Sequence, residues 1–508
     1  MIIILDFGSQ FTQLIARRVR ELKVYCEILP HTASLKEITS KNPSGVILSG
    51  GPASVNGGGK SPSCDKEISS GRWPVLGICY GMQLLAHQNG GKVLAAHKRE
   101  FGHAEINVEN AGPLFKGLAS TLNVWMSHGD EVQNLPQGFV RLAKTSSAMA
   151  AIAHPGKNLY GVQFHPEVAH TPQGKQILSN FLFNICHEAA DWRMASFIEN
   201  EVAKIKVQVG TGSAVCGMSG GVDSAVAAVL VNQAIGRQLH CVFVDNGLLR
   251  YGEKERVEEV FRNIFKDRLY IVDARKEFLK GLKGVADPEK KRKIIGKTFI
   301  DVFDRQAKKL GKIKHLVQGT LYPDLIESQS VRGPSAVIKT HHNVGGLPKR
   351  MKLSLIEPLK FLFKDEVREL GAELGLPSEI LKRHPFPGPG LAVRILGDVT
   401  EEKLTLVRGA DRIVEEEIRA AGIYEKLWQA FAVLIPVRTV GVMGDARTYE
   451  RVAVVRAVTS QDAMTADWAD IPKPVLSKIS NRIINEIRGI NRVAYDISSK
   501  PPATIEWE

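Results

Sequence analysis

Ser219-Gly220-Gly221-Val222-Asp223-Ser224 lies between an apolar run, Ser213-Ala214-Val215-Cys216-Gly217-Met218, and a helical one, Ala225-Val226-Ala227-Ala228-Val229-Leu230-Val231. A strand that turns through glycines into a helix offers unpaired N–H groups and the positive end of a helix dipole to an anion. Gly220 and Gly221 let the backbone take conformations that a side chain would hinder, so several N–H groups converge on one phosphate chain. The hydroxyls of Ser219 and Ser224 add donors. No Lys follows the glycines, so the pattern differs from a Walker A loop and suits pyrophosphate that departs rather than a transferred γ-phosphoryl. A bare Gly-Gly pair would read as an ordinary turn; six positions in a strand–turn–helix setting reverse that preference.

Working outward, the loop opens a block of alternating strands and helices. Its strands are expected at Ala214–Met218, His240–Val244, Leu269–Val272 and His315–Gln318, and the pattern fades at Pro385-Phe386-Pro387-Gly388-Pro389-Gly390, which reads as a shaped linker. Upstream, Ile2–Leu5, Val24–Leu29, Gly45–Leu48, Pro74–Ile78 and Tyr160–Phe164 alternate with helical segments, as in a parallel sheet with covered faces. Downstream, helices near Glu401–Ala421 and Pro474–Ile487 sit in a mixed α+β pattern. Three domains follow: 1–190, 191–384 and 385–508.

The bulk numbers narrow the class. At 508 residues, 44% hydrophobic and 24% charged, the composition is that of a globular protein. No apolar run approaches the ~20 residues that span a bilayer, and Met1 leads straight into a buried strand rather than a leader. Six scattered cysteines without C-x-x-C spacing fit a reduced, cytoplasmic chain with no structural metal. Residues 1–190 carry 17 Lys+Arg against 13 Asp+Glu, so +4 of the net +13 lies there and +9 on the rest. The densest run, Lys290-Lys291-Arg292-Lys293, reads as a solvated helix face; nothing in the chain resembles a nucleic-acid-reading motif.

A second chemical site stands at Val75-Leu76-Gly77-Ile78-Cys79-Tyr80-Gly81, again strand into helix. Gly77 and Gly81 flank Cys79 as in a nucleophile elbow, relieving crowding where the backbone turns and presents the sulfur. A sulfur at a helix N-terminus sits where negative charge is favoured. A cysteine picked at random is more often structural, but this setting argues otherwise. In Tyr160-Gly161-Val162-Gln163-Phe164-His165-Pro166-Glu167, alternation places Gln163, His165 and Glu167 on one face, giving a base and a carboxylate to orient it. Ser49-Gly50-Gly51 and the N–H of Tyr80 are candidate oxyanion donors.

On these residues the first 190 positions resemble the class I glutamine amidotransferases. The resemblance implies a flavodoxin-like sheet, Cys79 as nucleophile, His165 as acid/base and Glu167 as its orienter. It further implies a glutamine pocket lined by Gly51, Tyr80, Gln83, Ser127, His128 and Asp130.

The Ser219–Ser224 loop resembles the signature of ATP-pyrophosphatases, implying a doubly wound parallel sheet and ATP contacts from Ser219, Gly220, Gly221, Val222, Asp223 and Ser224. Asp245, in Val242-Phe243-Val244-Asp245-Asn246-Gly247, reads either as a ribose or adenine contact or as a turn residue. Gln318-Gly319-Thr320-Leu321-Tyr322-Pro323-Asp324 closes another strand beside them. Ile338–Pro348 reads as a lid with Lys339 reaching a phosphate.

The two modules in this order, with Phe386-Pro387-Gly388-Pro389-Gly390 and the tail Ser499-Lys500-Pro501-Pro502-Ala503-Thr504-Ile505-Glu506-Trp507-Glu508, resemble the glutamine-hydrolysing GMP synthetase family over essentially the whole chain. The resemblance implies XMP, ATP and glutamine as substrates, Mg²⁺ carried with ATP, and a small α+β C-terminal domain that dimerises and contacts XMP through Arg394, Lys500 and Glu506. Other glutamine-dependent ligases pair the ATP block with different glutaminases. A tRNA-thiolating enzyme would want a sulfur-carrying Cys near the loop and an RNA-binding domain, neither of which is evident.

Overall fold

The computed structural model describes residues 1–57, 61–329, 353–443, 445–460 and 465–508. Two compact units emerge, one over Met1–Phe197 and one over Ile198–Leu325 together with the described residues from 353 onward.

The first unit is built on a nine-stranded sheet. Five strands, in the order Cys26–Pro30, Ile2–Asp6, Gly45–Leu48, Val75–Ile78 and Leu159–Val162, run parallel. Ile2, Ile3, Ile4 and Leu5 are fully buried, as strands covered on both faces must be; each such side chain contributes about 1.5–3 kcal/mol relative to exposure. The sheet then continues antiparallel through Met149–His154, Val140–Lys144, Lys92–Val108 and Thr121–Asn134. This ribbon was not among the expected strands.

In the second unit a five-stranded parallel sheet has the order Leu269–Asp273, Leu239–Asp245, Ser213–Met218, Ile313–Val317, Ser354–Ile356. The chain builds outward from Ser213–Met218 to one side and then to the other. The carboxyl end of that strand is therefore the topological switch point, where open α/β sheets bind ligands.

A separate sheet holds Gln429–Met443 antiparallel to Ala446–Thr459, with Ile490–Tyr495 parallel to the latter. Helices Glu401–Ala420 and Lys473–Glu486 pack beside it; Thr400 caps the first, accepting from the Lys403 N–H at 3.2 Å. One hydrophobic core runs from Val215 and Val242 through Leu391 and Ile395 to Ile479 and Ile490 within this unit. The Pro385–Gly390 stretch is shaped to fit closely at Leu248. A Cβ on Gly390 would stand 2.4 Å from the Leu248 carbonyl oxygen, and Leu391 N–H donates to that same oxygen at 2.8 Å.

The run Lys290–Lys293 corrects the reading of a solvated face. Lys290 and Lys293 are exposed, but Lys291 is fully buried and its ammonium donates to the carbonyls of Ala392 (3.2 Å) and Ile395 (2.6 Å) and to Glu508 (2.5 Å). A buried ammonium needs such partners for all three of its protons.

Candidate active sites

In the first unit, Cys79 leaves the strand Val75–Ile78 at φ 52°, a left-handed conformation that strains a side-chain-bearing residue, and opens the helix Tyr80–Gln88. The turn is possible because its neighbours carry no Cβ. One on Gly81 would lie 2.3 Å from the Leu48 carbonyl oxygen, and one on Gly77 would lie 2.5 Å from the Gly81 carbonyl.

The sulfur lines a cavity of about 500 Å³. Every other residue expected in the glutamine pocket lines it too: Gly51, Tyr80, Gln83, Ser127, His128 and Asp130, along with His165. Glu167 stands behind His165, fully buried, and accepts from His165 Nδ1 at 2.7 Å. Burial opposes charge on the imidazole, but the Glu167 carboxylate and hydrogen bonds to Cys79 and Glu167 outweigh it, pushing His165 up to about 10. The ring is also held mechanically, since Phe11 packs edge-on at 5.2 Å and Thr171 Oγ1 donates to the His165 carbonyl at 2.7 Å.

Gln163 shares the face of His165 and Glu167 and reaches the sulfur as well. Its Nε2 approaches Cys79 Sγ at 3.6 Å, while its Oε1 accepts from Gln83 Nε2 at 3.2 Å. Gln83 also donates to the Asp130 carbonyl at 2.9 Å. A side-chain amide line thus runs from the ribbon strand to the sulfur. His128 is fixed between the Asp130 carbonyl (3.0 Å) and Glu100 (3.1 Å), and Glu100 accepts from Thr145 and Ser147 as well. Burial raises the Glu100 carboxyl, yet these hydrogen bonds hold it below the usual carboxylate range.

In the second unit, Ser219–Ser224 bridges the strand Ser213–Met218 and the helix Val222–Ile235. Gly220 takes φ 75°, which favours glycine. The two serine hydroxyls lie 3.0 Å apart, and Gly221 N–H donates to Ser219 Oγ at 3.3 Å, so the loop is internally braced. Asp223, at the helix start, is ion-paired with Lys364 at 2.5 Å. Gly319 lies against it: a Cβ there would come within 3.0 Å of the Asp223 backbone. Arg383, buried, donates to the Gly220 carbonyl at 2.8 Å. Lys364 and Arg383 carry no local pattern that marks them in the sequence; they come from 141 and 163 residues away.

Asp245 closes its own turn, accepting from Gly247 N–H at 3.0 Å, with Arg275 at 3.7 Å and Lys254 at 4.0 Å. Lys339 lies outside the described residues. Arg394 and Glu506 are brought together by a two-pronged pair at 3.2 and 3.0 Å, and Arg394 reaches Asp411 at 3.1 Å. Arg394 is 0% exposed, so it presents no open face to a ligand in this arrangement. Lys500 exchanges backbone hydrogen bonds with Ala466 at 2.7 and 3.0 Å. Arg456, fully buried, holds the same tail through the carbonyls of Ser498, Thr504 and Ile505.

The Asp223 carboxylate at the phosphate loop fits an outer or single contact to Mg²⁺ that travels on a nucleotide. Among the described residues no group of three or more His, Cys, Asp or Glu could hold a metal by itself. No described helix is long and apolar enough to cross a membrane.

Comparison with known proteins adds an independent line. Residues 3–185 match the family model for class I glutamine amidotransferases, 192–256 the model for NAD synthase and 416–507 the GMP synthase C-terminal domain. The GMP synthase [glutamine-hydrolyzing] of Brachyspira hyodysenteriae is 59% identical over 508 residues, covering 100% of this chain and 99% of the relative. Those of Carboxydothermus hydrogenoformans and Solidesulfovibrio magneticus are each 58% identical, with the same coverage. At this identity over the full length of both proteins, the chain belongs to the glutamine-hydrolysing GMP synthase family.

Proposed function

We propose that the chain makes GMP from XMP, ATP and glutamine, releasing AMP, pyrophosphate and glutamate. The observation that carries this is the presence, in one polypeptide of that family, of both a Cys79–His165–Glu167 constellation and a pyrophosphate-type loop at a sheet switch point.

At the first site Cys79 Sγ attacks the side-chain amide carbon of glutamine, and the oxyanion is met by the N–H groups of Gly51 and Tyr80. One such donor contributes about 3–4 kcal/mol to transition-state stabilisation. His165, whose proton is retained well above neutrality, hands it to the departing ammonia. It then takes a proton from the water that cleaves the thioester. Gln83, Ser127, His128 and Asp130 hold the substrate, and Gln163 aims an N–H at the sulfur.

At the second site the XMP C2 oxygen attacks the α-phosphorus, and pyrophosphate departs into the N–H groups of Ser219–Ser224. Mg²⁺ carried with ATP, near the Asp223 carboxylate, would supply neutralisation of phosphate charge. Ammonia then displaces AMP from C2. Because ammonia is mostly protonated near neutral pH, making it within the same chain avoids dilution before attack. Asp245 borders the nucleoside; Lys339 closes on a phosphate. In the tail, Lys500 meets the XMP 5′-phosphate, and the buried Arg394–Glu506 pair holds the tail that presents it. Residues 1–190, 191–384 and 385–508 serve as glutaminase, adenylylating and XMP-binding parts, the last also pairing two chains into a homodimer in the cytoplasm.

The test is direct. The protein is incubated with XMP, ATP, Mg²⁺ and either glutamine or ammonium, and loss of xanthine absorbance is followed. GMP with AMP and pyrophosphate is the expected outcome; ADP and orthophosphate would overturn the adenylylation step.

A further inference from the structure

A line of buried charges leads away from the pyrophosphate-type loop. It starts where Arg383 holds the Gly220 carbonyl at 2.8 Å and pairs with Glu253 at 2.5 Å. Glu253, 2% exposed, accepts with its other oxygen from the Arg250 N–H at 3.0 Å. The Arg250 guanidinium faces Asp411 at 3.4 Å and Glu415 at 3.9 Å. Asp411 accepts from Arg394 at 3.1 Å, and Arg394 grips Glu506. The Phe386 ring sits between the two guanidiniums, 4.7 Å from that of Arg250 and 5.0 Å from that of Arg394.

Arg383 Nη2 meets Glu253 as an ion pair without hydrogen-bond geometry. The widest contacts are those of Arg250, which is buried, and whose Nε and Nη2 make no hydrogen bond among the described residues. A buried guanidinium with unspent donors and two carboxylates just beyond contact has an energetic reason to shift, because each unsatisfied buried N–H is costly. Buried charges in low dielectric also feel displacement of a neighbour strongly. Phosphate arriving at the Ser219–Ser224 N–H groups loads the loop whose carbonyl Arg383 holds. A nucleotide at the tail loads the other end.

We propose that Arg383, Glu253, Arg250, Asp411, Arg394 and Glu506 form a positioning relay that couples occupancy of the pyrophosphate loop to the set of the XMP-binding tail, with Arg250 as its adjustable joint. The inference rests on the assignment of the tail to XMP. None of the six needs to touch a reacting atom, so their effect is on how well one substrate prepares the site of the other.

The test is a linkage measurement on the full chain, since a coupling free energy is what separates a relay from mere proximity. XMP affinity is measured by titration calorimetry with and without saturating Mg²⁺ and a non-hydrolysable ATP analogue. In the wild type the analogue tightens XMP about tenfold, or about 1.4 kcal/mol of coupling. In Arg250→Lys and in Asp411→Asn the factor falls below about threefold, while Arg412→Lys, on the same helix but facing Glu416 and Glu486, keeps it. Circular dichroism identifies folded variants. Glu415→Gln, which strands no buried charge, lowers the factor in the same direction and serves if the others fail to fold. A wild type without coupling, or a folded relay variant with the full wild-type factor, overturns the relay alone. A wild type that does not bind XMP, or XMP affinity untouched by Lys500→Ala, overturns the tail assignment and the relay with it.

Discussion

Glu167 accepts the Nδ1–H of His165 at 2.7 Å from a fully buried position, with its second oxygen making no hydrogen bond among the described residues. The carboxylate therefore spends its charge on one ring. Glu167→Gln removes that charge while keeping the shape. The proton on His165 then leaves at lower pH, so the alkaline limb of glutamine hydrolysis shifts downward from the neighbourhood of pH 10. Activity at neutral pH falls on the order of 10²–10⁴-fold, by analogy with orienting carboxylates in other triads. A pH–rate profile of glutamate release checks both; an unmoved limb would separate Glu167 from the titration of His165.

The same pair has a stability consequence. His165 binds its proton more tightly folded than unfolded, so its contribution is complete below the unfolded value of about 6.5 and is lost as pH rises toward the folded one. Relative to Glu167→Gln, the wild type loses melting temperature between pH 7 and 10. Parallel melting curves across that window would count against the assignment.

Cys79→Ala is expected to abolish glutamine-dependent GMP formation and to leave the ammonium-dependent reaction. Lys339→Ala is expected to depress adenylylation, and with it GMP formation from either nitrogen source, while sparing glutamine hydrolysis. Assays of GMP formation with each nitrogen source and of glutamate release distinguish them, and equal loss of adenylylation and glutamine hydrolysis in either variant would contradict the division of labour.

Gly81→Ala brings a methyl group to 2.3 Å from the Leu48 carbonyl oxygen. Backbone must move to admit it, costing about 1–3 kcal/mol as overpacking does. Calorimetric melting reads the cost directly, and the loss of glutaminase activity exceeds it because Cys79 is displaced.

Lys291→Met leaves Glu508 and two carbonyls without their shared donor. Breaking a buried pair on one side costs about 3–5 kcal/mol, so urea unfolding of the second unit shifts to lower concentration. A variant as stable as wild type would show that the tail reseats.

The legible parts of this molecule are those where a requirement is local. Gly77, Cys79 and Gly81 fall within five positions because one turn imposes all three, and Ser219–Ser224 is readable for the same reason. The parallel strands announce themselves through continuous burial, as Ile2–Leu5 does. The ribbon strands lack that continuous burial, since Thr121–Asn134 alternates buried Leu122, Val124 and Met126 with polar residues on a more open face. Pairings over long separations were equally silent. Lys364 with Asp223, Arg383 with Gly220 and Lys291 with Glu508 depend on folding, not on spacing, and Lys291 was misread because three neighbouring cations suggested water on every side.

The cavity around Cys79 takes its nucleophile from a parallel strand and its far side, Phe101 and Ser127–Asp130, from the antiparallel ribbon. The two sides of one cavity are thus written on different stretches of backbone. An engineer seeking another amide to cleave has a natural place to edit, the ribbon, with the cramped elbow left as it stands.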